Sequence, residues 1–175
     1  MLEVVPSPSS GFRQVLQVIG LDMGPFRWVV RGREKGDRRG ELTIDNMAQR
    51  GTATLASGTY RMSRSGLLET KFELLGPDGR TLATGSRHAT GILARETVVR
   101  VAGENLTLAG GKQRYSVSTA SKRTVGTINV DRQGWTLRHI HAYLSFDENE
   151  LSEGVQVFLF WLCIYPDLSN AGAGG

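Results

Sequence analysis

Residues 151–165 read LSEGVQVFLFWLCIY, and this stretch decides how the rest of the chain folds. After Gln156 every position is apolar, so the segment has no polar face at any helical or strand period. A helix of this kind needs protein or lipid around it on all sides. The run from Val155 to Tyr165 is shorter than the roughly 18 residues of a membrane-spanning helix, so we expect it to be buried inside the protein.

The ends of this helix are predicted from its flanking residues. We expect it to span residues 148–165. Asp147 with Glu150, or Ser145 with Glu148, has the spacing of a capping box at its start. Pro166 is expected to end the helix, because a proline disfavours helical backbone at the residue before it.

The chain before the helix has the pattern of short β-strands separated by turns. Residues 68–74 alternate apolar or small side chains with charged ones, and residues 41–45, 60–63 and 105–108 alternate in the same way. Glycine is abundant, with 22 residues, and turn signals such as Gly76-Pro77-Asp78-Gly79 fall between the strands. We count about twelve such segments from Phe12 to Leu144, the spacing of barrels and sandwiches.

These patterns together predict a mainly β fold, a closed antiparallel barrel of about twelve strands threaded by the hydrophobic C-terminal helix. A helix about 10 Å across needs a large barrel around it. Gly126, within a predicted strand, is a position where such a helix would approach the backbone closely.

The length of 175 residues fits a single domain. Residues 1–11 are rich in proline and serine, and we expect them to be a flexible lead-in. Residues 12–168 are predicted to form the barrel with its central helix. Residues 169–175 end in AGAGG and are predicted to be disordered.

The amino-acid composition indicates the cellular compartment of the protein and excludes some kinds of site. Cys163 is the only cysteine, which excludes an intrachain disulfide and a cysteine-rich metal site, and favours a reducing environment. The first residues lack the basic start and apolar core of a secretion signal. We therefore expect a cytoplasmic protein without a transmembrane segment, peripheral to the inner membrane face if it binds lipid.

Four segments carry a family resemblance. In chain order they are FELLGPDG at 72–79 with RTLA at 80–83, Arg114-Tyr115, VGTI at 125–128 and QVFLFWL at 156–162. On these segments the chain, from about Phe12 to Leu168, resembles the tubby C-terminal-like superfamily, which includes tubby proteins, phospholipid scramblases and LURP-one-related proteins. The resemblance implies a twelve-stranded antiparallel barrel threaded by a hydrophobic C-terminal helix, and an association with phospholipid. The chain lacks a recognisable counterpart of the phosphoinositide site of tubby proteins, and it lacks the cysteine-rich stretch and acidic calcium loop of scramblases.

The densest charge cluster is RGREKGDRR at residues 31–39, which we call the basic segment. Its five cations outnumber Glu34 and Asp37 and give a local net charge of +3. One interpretation is a solvated hairpin loop. The other is a site for anionic phospholipid headgroups, whose candidate residues are Arg31, Arg33, Lys35, Arg38 and Arg39.

No catalytic or metal-binding motif is recognisable. His139 and His141 share a strand face but lack a third ligand, and we expect them to be exposed while Ile140, Ala142 and Leu144 turn inward. Cys163 lies on the apolar helix, where a thiol is poorly ionised. We therefore predict no catalytic residues, no metal and no cofactor.

The function predicted from these observations is a non-enzymatic binding or scaffold module. Its expected partner is an anionic phospholipid surface or another protein. We expect no nucleic-acid partner, because a nucleic-acid surface needs a basic stripe with interleaved aromatic side chains, and aromatic content is only 7%. One alternative is a lipocalin-like carrier with an apolar ligand in the barrel. Another is an enzyme whose site is assembled from scattered residues such as His88, Glu96 and Asp131.

Overall fold

The computed structural model describes residues 1–7, 26–32, 37–45, 49–65, 70–90, 94–111, 113–132, 140–147 and 150–171. These residues form twelve strands and one helix: β1 (Leu2–Pro6), β2 (Phe26–Arg31), β3 (Arg38–Asp45), β4 (Arg50–Leu55), β5 (Gly58–Ser65), β6 (Thr70–Leu75), β7 (Thr81–Thr90), β8 (Ala94–Val101), β9 (Glu104–Gly111), β10 (Arg114–Thr119), β11 (Thr124–Arg132), β12 (Ile140–Phe146) and α1 (Glu153–Ala171).

The strands close into an antiparallel barrel. Each strand pairs with its neighbours in the chain, and β1 pairs with both β2 and β12, which joins the two ends of the sheet. The predicted fold class is therefore confirmed. In the part of the chain that the structure describes, closure pairs the two end strands of the sheet, β1 and β12, with each other.

Residues 2–6, in the segment predicted to be a flexible lead-in, form strand β1. Leu2 and Val4 lie in β1 and are buried, opposite Leu144 and Ala142 of β12. The proline and serine residues that prompted the prediction follow the apolar start of the chain, and residues 8–11 lie outside the described residues. Because β1 carries the closing ladder, the N-terminus is part of the domain.

Side-chain alternation along the strands builds the core. In β4 the pattern alternates exposed and buried at all six positions, as a strand with one wet face requires. The apolar positions predicted to point inward are buried in the barrel, which confirms the pattern at Leu42, Ile44, Tyr60, Met62, Phe72, Leu74, Leu106 and Leu108.

The helix lies inside the barrel. Every residue from Val157 to Leu162 is 0% exposed. Its aromatic side chains contact both Trp28 of β2 and Phe72 of β6, and its carbonyl groups accept hydrogen bonds from β7 and β10. Strands spread around a closed barrel can contact one helix in this way only when the helix occupies the lumen.

The N-terminal end of the helix differs from the predicted one. The helix begins at Glu153, and its first intrahelical bond runs from the Gln156 amide to the Ser152 carbonyl. The Glu150 carboxylate binds Arg123 of the β10–β11 turn, so it does not cap the helix with Asp147. Residues 148–149 lie outside the described residues, and Ser145 is exposed on β12. The predicted capping boxes are therefore wrong.

The helix also passes through Pro166 and ends at Ala171, against the prediction that Pro166 terminates it. Pro166 has no N–H, so the carbonyl of Leu162, four residues earlier, loses its intrahelical donor. Arg87 of β7 supplies a replacement, since its Nη2 donates to the Leu162 oxygen at 2.8 Å. The Tyr115 hydroxyl donates to the next carbonyl, that of Cys163, at 3.1 Å. Residues 169–171, predicted to be part of a disordered tail, belong to the helix, and residues 172–175 lie outside the described residues.

The backbone of the helix closely approaches a side chain of the barrel wall at Gly154, and the wall glycine expected to contact the helix, Gly126, has a different neighbour. A Cβ atom on Gly154 would lie 2.4 Å from the Tyr60 ring, so only glycine fits where the helix enters the barrel. A Cβ atom on Gly126 would lie 2.1 Å from the ring of Phe146 on the neighbouring strand. Gly126 therefore accommodates a wall side chain, which corrects the prediction of a helix contact there.

Candidate functional site

The end of the barrel where the helix enters is formed by the connections at residues 31–38, 55–58, 75–81, 101–104, 119–124 and 147–152, and we call it the entry mouth. The basic segment is one of these connections. Its turn is closed by a hydrogen bond from the Gly32 amide to the Asp37 carbonyl at 2.7 Å. Arg33 and Lys35 lie outside the described residues, as do their neighbours 34 and 36.

Two of the three described cations of the basic segment, Arg38 and Arg39, form ion pairs with carboxylates. Arg38 pairs with Glu41 on its own strand. Arg39 Nε lies 2.7 Å from Asp37 Oδ2, and Arg39 Nη1 lies 3.7 Å from Oε1 of Glu153, the first residue of the helix.

Arg31 is exposed at the end of β2, directly opposite Glu3 of β1 in the ladder. Glu3, Glu41 and Glu153 are outside the basic segment in the sequence, so the count of +3 for that segment omitted them. The fold therefore reduces the positive potential of the basic segment below the value that its own residues indicate.

Another ion pair at the entry mouth connects the barrel rim to the segment that precedes the helix. Arg123 in the β10–β11 turn binds Glu150 in the lead-in to the helix. The hydrogen bond from Arg123 to Glu150, together with the charge of Glu150, raises the pKa of Arg123 above its ordinary value. The pair lines a cleft of about 360 Å³ that reaches the core residues Leu106 and Val125. With Arg39 and Glu153, it attaches the start of the helix to two sites on the barrel rim.

The histidines are not gathered into a metal site in the described part of the chain. His141 is half-buried on β12, while Ile140, Ala142 and Leu144 point inward as predicted. His139 and the side chain of His88 lie outside the described residues. Among the residues described, no three His, Cys, Asp or Glu side chains come together as metal ligands would. The absence of a metal stays a prediction.

The residues considered for a scattered enzyme site lie on two separate parts of the wall. The register places His88 of β7 opposite Glu96 of β8. Asp131 lies on β11, separated from β8 by β9 and β10. Cys163 is buried inside the lumen with 1% of its surface exposed. The fold therefore places Asp131 away from the His88–Glu96 pair.

Two features escaped the sequence analysis. The first is Arg87, whose inward direction depends on the tertiary structure. The second is a groove on the outer wall between Lys71 of β6 and Arg100 of β8. The alternation of residues 68–74 assigned Lys71 to the solvent-exposed face of its strand. It did not indicate that β8 lies two strands away from β6 in the barrel.

Comparisons of the chain with protein-family models, with curated proteins and with solved structures find no match. Within the described residues, no helix has the length and apolar character needed to span a membrane.

Proposed function

We propose that the chain is a non-enzymatic binding module that works through the outer surface of its barrel. The observation that supports this proposal is that the helix fills the lumen of the barrel. Helix side chains from Val157 to Leu162 have no exposed surface, so they take the volume in which a lipocalin-like carrier would hold its ligand. The remaining surface available to a partner is the wall and the two mouths of the barrel.

The proposed partner is an anionic phospholipid surface, bound peripherally. The resemblance to the tubby C-terminal-like superfamily and the basic segment at the entry mouth both support this choice. Arg38 and Arg39 have partners within the protein, so Arg31, Arg33 and Lys35 are the cations proposed to meet lipid phosphates. Each basic residue near an anionic surface contributes about 1 kcal/mol, which makes the expected association weak and reversible.

Co-sedimentation with vesicles tests the proposal. The wild-type protein is mixed with vesicles of phosphatidylcholine alone and of phosphatidylcholine with phosphatidylserine, at low and at high salt. We expect binding only to the anionic vesicles and a steep loss as salt rises past physiological strength, where the Debye length is about 8 Å. Binding that ignores salt would instead indicate an inserted apolar segment.

A matched pair of variants separates the basic segment from net charge. One variant carries Arg31→Gln, Arg33→Gln and Lys35→Gln. The control carries three arginine-to-glutamine changes on the exposed outer wall, at Arg27, Arg50 and Arg61, and has the same net charge. We expect the first variant to lose vesicle binding and the control to keep most of it. Equal loss in both, or no binding by wild type at low salt, would favour a protein-binding scaffold.

A further inference from the structure

A cleft of about 360 Å³ opens at the entry mouth, between the barrel rim and the segment that precedes the helix. Its rim is formed by Glu104 at the β8–β9 turn, by Arg123 in the β10–β11 turn and by Glu150 in the segment before the helix. Three parts of the chain that are distant in sequence therefore meet at one opening.

The floor of the cleft is apolar. Leu106 of β9 and Val125 of β11 line it, and both belong to the buried core. Val101 and Leu151 line it as well, and both are partly buried against that core. An apolar group that enters the cleft would leave water and pack on these side chains, which favours binding.

The rim of the cleft carries more negative than positive charge. Glu104 begins β9 two residues before the buried Leu106, so its side chain leaves the strand on the face that looks into the barrel mouth. The hydrogen bond and the charge of Glu150 raise the pKa of Arg123 most, and the charges of Asp147 and Glu104 raise it further. Among the described residues, only Glu150 of these three carboxylates has an ion-pair partner.

The backbone of the β10–β11 turn holds Arg123 beside Glu150. The Thr119 amide donates to the Arg123 carbonyl at 2.9 Å, and the Arg123 amide donates to the Thr119 hydroxyl at 3.3 Å. Lys122, the neighbouring cation of the turn, is not among the described lining residues of the cleft. An anionic ligand would have to displace Glu150 from Arg123, whereas a cationic ligand would meet the carboxylate of Glu104 directly.

We propose that this cleft binds a small amphipathic amine, an organic ammonium ion whose apolar body packs on the floor and whose charge faces Glu104. The volume falls in the range of small-molecule sites, about 300–1,000 Å³. The apolar floor selects the body of the ligand, and the carboxylate of Glu104 selects its charge. The cleft lies on β8–β11, so it is separate from the basic segment of β2–β3 and does not depend on phospholipid binding there.

Three phenyl compounds of similar size and different charge test the site. The full chain is titrated at neutral pH with phenethylamine, 2-phenylethanol and 3-phenylpropanoate, and binding is followed by amide chemical shifts. We expect saturable shifts at Ala102, Leu106, Thr119 and Leu151 with the amine. The alcohol should bind about tenfold or more weakly, because it lacks the charge that meets Glu104, and the carboxylate should not bind.

A matched pair of variants tests the role of Glu104. Glu104→Gln removes the carboxylate and keeps the size of an exposed side chain, so the fold should be unaffected. We expect it to weaken amine binding about tenfold or more and to leave alcohol binding unchanged. The control is Glu96→Gln, which changes net charge equally at an exposed position toward the opposite end of β8, and it should keep wild-type affinity.

Three results would overturn the inference. Shifts that never saturate with the amine, or an equal loss in the Glu104 and Glu96 variants, would mean that the amine meets only the general charge of the surface. Alcohol binding as tight as amine binding would make the opening an apolar cleft without selectivity for charge. Tightest binding of the carboxylate would mean that Arg123, and not Glu104, sets the charge of the ligand.

Discussion

Arg87 is a cation of the barrel wall whose hydrogen-bonding groups face the interior. Its Nε donates to the Thr97 hydroxyl at 3.0 Å, and its Nη2 donates to the Leu162 carbonyl of the helix. The guanidinium carbon also lies 5.2 Å from the centre of the Phe72 ring. Partial burial of this guanidinium is tolerated because the Thr97 hydroxyl and the Leu162 carbonyl accept its hydrogen bonds and the Phe72 ring face stabilises the cation.

Replacing Arg87 with methionine tests its role beside Pro166. The change keeps much of the side-chain length but leaves the Leu162 carbonyl without a donor, so we expect a loss of about 1–3 kcal/mol in the free energy of unfolding. In a Pro166→Ala background the helix regains its own N–H at that position, and the Arg87 change should cost clearly less. Denaturant unfolding of both single variants and the double variant measures the coupling. An equal cost in both backgrounds would contradict this account.

At the scale of one element, the helix is apolar on every face from Val157 to Ile164. Trp161 packs edge-on against Phe72 with ring centroids 5.7 Å apart, and Phe160 packs edge-on against Trp28 at 6.4 Å. Such contacts on different sides of the helix leave no direction in which it could present a polar face. Gln156 is the exception near its start, and its Nε2 donates to the Leu151 carbonyl at 2.8 Å.

Truncating the buried aromatic side chains should therefore be severe. Phe158→Ala and Trp161→Ala are each expected to lower the free energy of unfolding by about 3–5 kcal/mol, through lost burial and the cavity left behind. Tyr143→Ala is the control, because Tyr143 is an aromatic residue on the outer wall with 41% of its surface exposed. Its change should stay within about 0.5 kcal/mol. Similar losses in all three variants would argue against a helix at the centre of the core.

For the whole molecule, the order of elements in the chain has a consequence for folding. The barrel closes through β1 and β12, near the two ends of the sequence, and the helix that fills it is the last element. These long-range contacts are slow to form, because the chain must close large loops before the contacts stabilise it. Wall and helix therefore depend on one another for the native core.

A chain ending at Asp147 tests this dependence. It retains all twelve strands but loses the side chains that fill the lumen. Each large side chain that is no longer buried removes about 1.5–3 kcal/mol from the free energy of unfolding. Losing several of those between Val155 and Ile164 therefore removes an amount comparable with the roughly 5–15 kcal/mol that stabilises a typical domain. We expect no cooperative thermal transition by circular dichroism, and strong binding of a dye for exposed apolar surface. A cooperative transition near the wild-type temperature would show that the wall is stable alone.

Much of the fold could be predicted because its signals are periodic and local. Alternation assigned Leu42, Ile44, Phe72 and Leu74 correctly to the interior, while Leu68 lies outside the described residues. The apolar run after Gln156 placed a helix in the core. The basic segment was less predictable, because the ladder places Glu3 opposite Arg31 and the helix brings Glu153 to Arg39. The groove over β6, β7 and β8 was not predictable either, since only the strand register places Glu73, Thr84 and Arg100 in one row.

The sequence by itself determined that a barrel of alternating strands surrounds a helix with no polar face, because burial of apolar side chains follows from local period and composition. Tertiary structure alone decided where the chain closes and where the helix ends. Val4 joins β12 through a ladder that spans nearly the whole chain, and Leu162 receives its missing hydrogen bond from Arg87, 75 residues earlier. The helix continues past Pro166, and the Leu162 carbonyl that the proline leaves without an intrahelical donor accepts a hydrogen bond from the wall of the barrel.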